Sequence, residues 1–125
     1  MSNKQHILIV DDDAGTVDII SIILQNAGYQ ITTDNCGNLH FLQTGLHPDL
    51  ILLDNTLGQK KGADLCLELK ANEQTKDIPV IMVSAADDLK GLATHACADN
   101  FLPKPFNIQD LLAIVKNTLQ PKSVC

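Results

Sequence analysis

Three short aliphatic blocks constrain this chain more than any other feature: Ile7-Leu8-Ile9-Val10, Leu50-Ile51-Leu52-Leu53 and Val80-Ile81-Met82-Val83. None of them alternates apolar with polar residues, so neither face of such a segment is suited to water. Strands of this kind sit inside a sheet covered on both sides, as in parallel sheets flanked by helices. Each block is also far too short to cross a bilayer, which takes about twenty apolar residues.

Helical patterns fill the spaces between the blocks. Asp13 is placed to cap a first helix whose apolar positions are Val17, Ile20, Leu24 and Ala27, and Gly28 suits a left-handed stop. Tyr29 to Thr33 reads as a second strand, and Leu39 to Leu46 as a second helix carrying Leu39, Leu42 and Leu46. Pro48 breaks the chain before the third strand. A loop, Gly58-Gln59-Lys60-Lys61-Gly62, leads to a third helix carrying Leu65, Cys66 and Leu69. The fourth strand starts at Pro79, and a weakly patterned fourth helix runs from about Asp87 to Cys97 with Gly91 inside it. Phe101-Leu102 is a brief fifth strand. Asn107 caps a last helix presenting Ile108, Leu111, Leu112, Val115 and Leu119. The alternation predicts an α/β fold: a doubly wound, five-stranded parallel sheet with helices on both faces. One domain spans 1–125, with its core over about 5–119 and a polar tail from 120 to 125.

Composition removes several function classes. The net charge is −6, and all nine basic residues are lysines. Without arginine there is no bidentate fork for guanine edges, and no basic patch is visible, so no direct nucleic-acid binding is expected. The N-terminus, Met1-Ser2-Asn3-Lys4-Gln5-His6, lacks the apolar core of a secretory signal, which predicts a cytoplasmic protein with no membrane insertion. Cys36, Cys66, Cys97 and Cys125 form no Cys-x-x-Cys pair, and His6, His40, His47 and His95 show no metal-type spacing.

In an open parallel sheet, ligands bind beyond the carboxyl ends of the strands, where strand order reverses. Past the first strand stand Asp11, Asp12 and Asp13. Past the third comes Asp54, followed by Asn55 and Thr56, past the fourth Ser84, and past the fifth Lys104 and Pro105. Asp34 and Asn35 follow the second strand, which a peripheral place would hold away from the centre. With strand order 2-1-3-4-5, Asp11, Asp12 and Asp54 converge. Two carboxylates about 4 Å apart at an effective dielectric near 20 repel by roughly 4 kcal/mol, so the cluster calls for a cation. A hard divalent ion with oxygen ligands such as Mg²⁺ answers that need, and Lys104 adds a fixed positive charge. The set suits phosphoryl transfer, with Asp54 as nucleophile and Lys104 and the Ser84 hydroxyl holding phosphoryl oxygens. Taken singly, each residue has a plainer role. Asp13 is expected to cap its helix, as are Asp87 and Asp88, and a lone serine or lysine at a strand end is ordinary.

On these residues the whole chain resembles the response-regulator receiver family, whose fold is flavodoxin-like. Ile7-Leu8-Ile9-Val10-Asp11-Asp12-Asp13 is similar to the family's acidic opening, and Pro48-Asp49-Leu50-Ile51-Leu52-Leu53-Asp54 to the run into its phosphoacceptor. Val83-Ser84-Ala85 and Lys104-Pro105-Phe106 are similar to its signalling hydroxyl and its lysine–proline pair. The resemblance implies that Asp12 and Asp54 bind Mg²⁺ directly, Asp11 mostly through water, and Thr56 through its backbone carbonyl. It implies a switch in which Ser84 moves toward the phosphoryl group and Phe101 turns inward, biasing the face of the fourth helix, fifth strand and fifth helix. A sensor histidine kinase or a phosphotransfer protein is the implied donor, and the downstream output partner is left open. The chain is expected to be a stand-alone regulator, a relay intermediate or an excised receiver.

The stretch Asn55-Thr56-Leu57-Gly58-Gln59-Lys60-Lys61-Gly62 departs from the family. Gly58 stands where proline is usual, and Lys60 and Lys61 bring unusual positive charge. Two other classes share part of this pattern. A Mg²⁺-dependent phosphohydrolase also has a nucleophilic aspartate after a strand, but its general acid belongs two residues later, where Thr56 stands. A flavodoxin-like cofactor carrier wants a phosphate-cradling loop after the first strand, where three aspartates would repel phosphate. The expected function is a signalling module rather than a turnover enzyme.

Overall fold

The computed structural model of the chain describes residues 5–34, 47–54, 56–57, 60–84, 98–104 and 106–119. Five strands form one sheet: β1 (His6–Val10), β2 (Gln30–Asp34), β3 (Leu50–Asp54), β6 (Val80–Ser84) and β7 (Asn100–Pro103). Two two-residue strands, β4 (Thr56–Leu57) and β5 (Lys60–Lys61), pair antiparallel beside them. The described helices are α1 (Ala14–Asn26), α2 (Gly62–Ala71) and α3 (Ile108–Leu119). The large sheet runs β2-β1-β3-β6-β7, all parallel, which is the order 2-1-3-4-5 when its strands alone are counted.

The unbroken aliphatic blocks divide their side chains between two layers. Leu8, Val10, Ile51, Leu53, Val80 and Met82 pack with Leu65, Cys66 and Leu69 of α2. Their neighbours Ile7, Ile9, Leu50, Leu52, Ile81 and Val83 pack with Ile20 and Leu24 of α1 and Leu111 and Val115 of α3. Every residue of β3 is buried, so a polar substitution within Leu50 to Leu53 would lose its hydration on either face.

The capping residues behave as expected. The Asp13 side chain accepts the Thr16 backbone N–H at 3.1 Å, and Asn107 accepts that of Asp110 at 2.7 Å. At the other end of α1, Gly28 has φ near +100°, with Gly28 N–H donating to Gln25 O and Tyr29 N–H to Leu24 O. This paired closure needs a left-handed residue, which glycine adopts without the Cβ penalty.

Some boundaries differ from the sequence reading. The second strand starts at Gln30 rather than Tyr29, whose ring packs against the α1 side of the core. Ala27 and Ile108, expected on apolar helix faces, are exposed. Of the expected loop Gly58 to Gly62, Lys60 and Lys61 pair as a strand with Leu57 and Thr56, and Gly62 opens α2. Two-residue strands are too short for a period to register. The expected helices at Leu39 to Leu46 and Asp87 to Cys97 lie outside the described residues, as does the polar tail.

Candidate functional site

Register delivers the acidic residues to one place. Val10 pairs with Leu53, so Asp11 and Asp54 follow one another off neighbouring strand ends. Asp54 in turn pairs with Val83, and Ser84 with Pro103, the residue before Lys104. One carboxylate oxygen from each of Asp11, Asp12 and Asp54 lies within 4.8 Å of the others. Asp11 and Asp54 are buried at 4% and 8% exposure, whereas Asp12 is exposed at the rim. The Lys104 ammonium stands 3.4 Å from Asp54 Oδ1 and 3.8 Å from Asp11 Oδ2. To do so it reaches past the end of β6, which separates its own strand from β3.

Burial pushes the Asp11 carboxyl above its ordinary range, and the charges of Asp12 and Asp13 push the same way. The Asp13 backbone N–H, at 2.9 Å from Asp11 Oδ1, and Lys104 oppose that rise. Asp13 moves the other way: the Thr16 hydroxyl and then the Thr16 backbone N–H hold its carboxyl below the ordinary range. Asp13 therefore caps α1 and stands outside the trio, as its position in the sequence suggested.

A cleft of about 390 Å³ opens beside the trio, between α1 and β2, lined by Asp11, Asp12, Asp18, Thr33 and Asp34. Asp34 is closer to the site than expected for a peripheral strand, because its carbonyl accepts the Asp11 backbone N–H at 3.2 Å. Its carboxylate is not one of the clustered three. Phe101 is half-buried and packs against the α2 layer. Thr56 lies in β4, two residues after Asp54, and Ser84 ends β6, one residue past the register partner of Asp54, while the side chains of both lie outside the described set. So do the side chains of Lys60 and Lys61, and Pro105, Asp87 and Asp88 altogether.

The donor set matches a hard divalent cation: three carboxylates, two of them buried, with oxygen as the ligand atom and no thiol or imidazole among them. A divalent cation held by these three would offset the negative charge that otherwise opposes the approach of a phosphoryl group.

Comparison with known proteins agrees with this geometry. The family model for the response regulator receiver domain matches residues 7–116. The DNA-binding dual master transcriptional regulator RpaA of Synechocystis is 39% identical over 119 residues, covering 91% of this chain and 48% of that protein. The chain thus spans about half the length of the curated relatives it matches. Among solved structures, a CheY-like receiver domain protein of Methanospirillum hungatei superposes with a TM-score of 0.83 at 28% identity, covering 94% of each chain. The receiver domain of a sensor histidine kinase of Pseudomonas aeruginosa, solved with a magnesium ion coordinated in its active site cleft, superposes with a TM-score of 0.82. It is 25% identical, covering 94% of this chain and 98% of that one. No described helix is long and apolar enough to cross a membrane. With strand order, acidic trio and lysine in agreement with the family match over residues 7–116, the chain belongs to the response regulator receiver domains of two-component signalling.

Proposed function

We propose that this receiver accepts a phosphoryl group on Asp54 from the phosphohistidine of a sensor histidine kinase or phosphotransfer protein. The observation that carries the reading is the convergence of Asp11, Asp12 and Asp54 within 4.8 Å, with Lys104 reaching Asp54 and Asp11. Asp11, Asp12 and Asp54 would hold Mg²⁺, joined by the Thr56 carbonyl, and the bound ion supplies the charge neutralisation that transfer to a carboxylate requires. The Asp54 carboxylate attacks phosphorus as the bond from phosphorus to the donor imidazole breaks, leaving an acyl phosphate on the protein. Lys104 and the Ser84 hydroxyl take phosphoryl oxygens. Hydrolysis of the acyl phosphate resets the module, which acts as a switch in the cytoplasm and not as a turnover enzyme.

The output side of the proposal is the coupled movement of Ser84 and Phe101. Phe101 lies in β7 against the α2 layer, next in register to Met82, so its ring is part of a packed surface that a strand-end shift can disturb. The receiver unit is taken as about residues 5–119, and the downstream partner is one that reads β7, α3 and the segment before β7.

Incubation with acetyl phosphate and Mg²⁺ should add one phosphoryl mass, labile in base. Asp54→Asn removes the nucleophile and should abolish the addition. Modification of that variant at the wild-type rate would overturn the assignment.

A further inference from the structure

Asp13 stands beside the acidic trio without joining it, yet it touches the trio through its backbone. Its N–H donates to Asp11 Oδ1 at 2.9 Å, while the other Asp11 oxygen faces Lys104 at 3.8 Å. The rotation of the Asp11 carboxylate is therefore set between a peptide N–H and an ammonium. The direction of that N–H depends on how firmly the peptide before Asp13 is held.

Three bonds hold Asp13. Its side-chain Oδ2 accepts both the Thr16 backbone N–H, at 3.1 Å, and the Thr16 hydroxyl. Its carbonyl accepts the Val17 N–H at 3.0 Å. These bonds keep Asp13 extended, at φ −92° and ψ 105°, the backbone shape that turns the chain from β1 into α1. The backbone bonds would form with many residues at position 16. The hydroxyl bond depends on the side chain.

We propose that Thr16 is a positioning residue for the acidic site, acting through Asp13 on the orientation of Asp11. It touches neither the metal nor the phosphoryl group. The inference rests on Asp11 being a ligand, directly or through water, as in the proposed function above. Partners that orient a metal-binding carboxylate typically change affinity by about 10–100-fold when removed. Thr16 acts one residue further out, so a loss of about 3–10-fold in Mg²⁺ affinity is expected by the same comparison.

Thr16→Val keeps the shape and the backbone N–H but loses the hydroxyl, and Thr16→Ser restores the hydroxyl alone. Mg²⁺ affinity is read by calorimetric titration, and the Asp11–Asp13 bond by the Asp13 amide proton shift in metal-free protein. A hydrogen bond to a carboxylate moves that proton downfield. Thr16→Val should move it upfield and weaken Mg²⁺ binding, and Thr16→Ser should return both toward wild type. Thr75→Val is the control for stability alone, since it removes a hydroxyl bond to the Leu69 carbonyl in the connection from α2 to β6. It should change neither readout. If wild-type protein binds Mg²⁺ and Thr16→Val binds it equally, with the Asp13 amide unmoved, Thr16 is a helix cap and nothing more. If the wild type binds no Mg²⁺ at all, the reading of the trio as a metal site falls, and this inference falls with it.

Discussion

The two ends of the same sheet treat charge in opposite ways. At the amino end, Lys70 Nζ stands 2.6 Å from Asp99 Oδ2 and donates to the Ile78 carbonyl at 2.9 Å. Asp99 Oδ2 also accepts the Val80 N–H at 2.8 Å, and the His6 N–H finds Asp49 at 2.7 Å. Each carboxylate there meets a donor that fits it and closes the start of a strand. At the carboxyl end, three carboxylates crowd within 4.8 Å, and Lys104 approaches two of them only to 3.4 and 3.8 Å. The first arrangement favours the fold. The second brings like charges together, and under the proposed function it offers their oxygens to a cation that arrives from outside.

That contrast can be broken by experiment. Mg²⁺ should stabilise the protein through the carboxyl end alone, by about 2.7 kcal/mol at a free concentration one hundred times its Kd. Chemical denaturation with and without the ion measures it, and Asp11→Asn should reduce the gain while Asp99→Asn leaves it intact. Next in size is Asp99→Ala, which strips Val80 and Lys70 of an acceptor and should cost about 1–2 kcal/mol in metal-free denaturation. Asp11→Asn should have the opposite sign there, gaining about 1 kcal/mol, because the amide oxygen still accepts the Asp13 N–H while one like charge is gone. Destabilisation by both would erase the distinction between the ends.

The smallest effect is a pH slope. Folded Asp11 keeps its proton at pH values where the unfolded chain, with an ordinary value of 3.8, has lost it. The native state then binds more protons, so this residue's contribution is fully present below 3.8 and is lost as pH rises through the raised folded value. Metal-free protein should therefore lose stability with rising pH over that window relative to Asp11→Asn. A parallel pair of profiles would show that Asp11 is not perturbed.

What the sequence made legible was what is local or repeated. The aliphatic blocks announced the strands because burial on both faces leaves no room for polar residues. Asp13 and Asn107 announced their helices because a cap needs a particular side chain at one position. Asp11, Asp12, Asp54 and Lys104 could be brought together because parallel strands all end on the same side. The pairing of Lys70 with Asp99 was hidden, since 29 residues separate them and no spacing rule links a helix end to a strand start. The Thr56–Leu57 and Lys60–Lys61 pairing was hidden because each strand is held by its partner and not by its own pattern. The bond from Asp13 to Asp11 was invisible for a different reason: a backbone N–H has no letter in the sequence.

Met82 lies beside Phe101 in register, and both belong to the layer facing α2. The chain has two methionines, the other being Met1. Carbon-13 labelling at methionine methyl groups thus yields two resonances, one of them from Met82, the register partner of Phe101 in the same layer. Aromatic rings shield or deshield neighbouring nuclei according to their tilt, so this resonance reports the ring's orientation in the unmodified protein. With no tryptophan and one tyrosine, the chain offers little to fluorescence. It nevertheless carries a native magnetic indicator against the residue expected to turn.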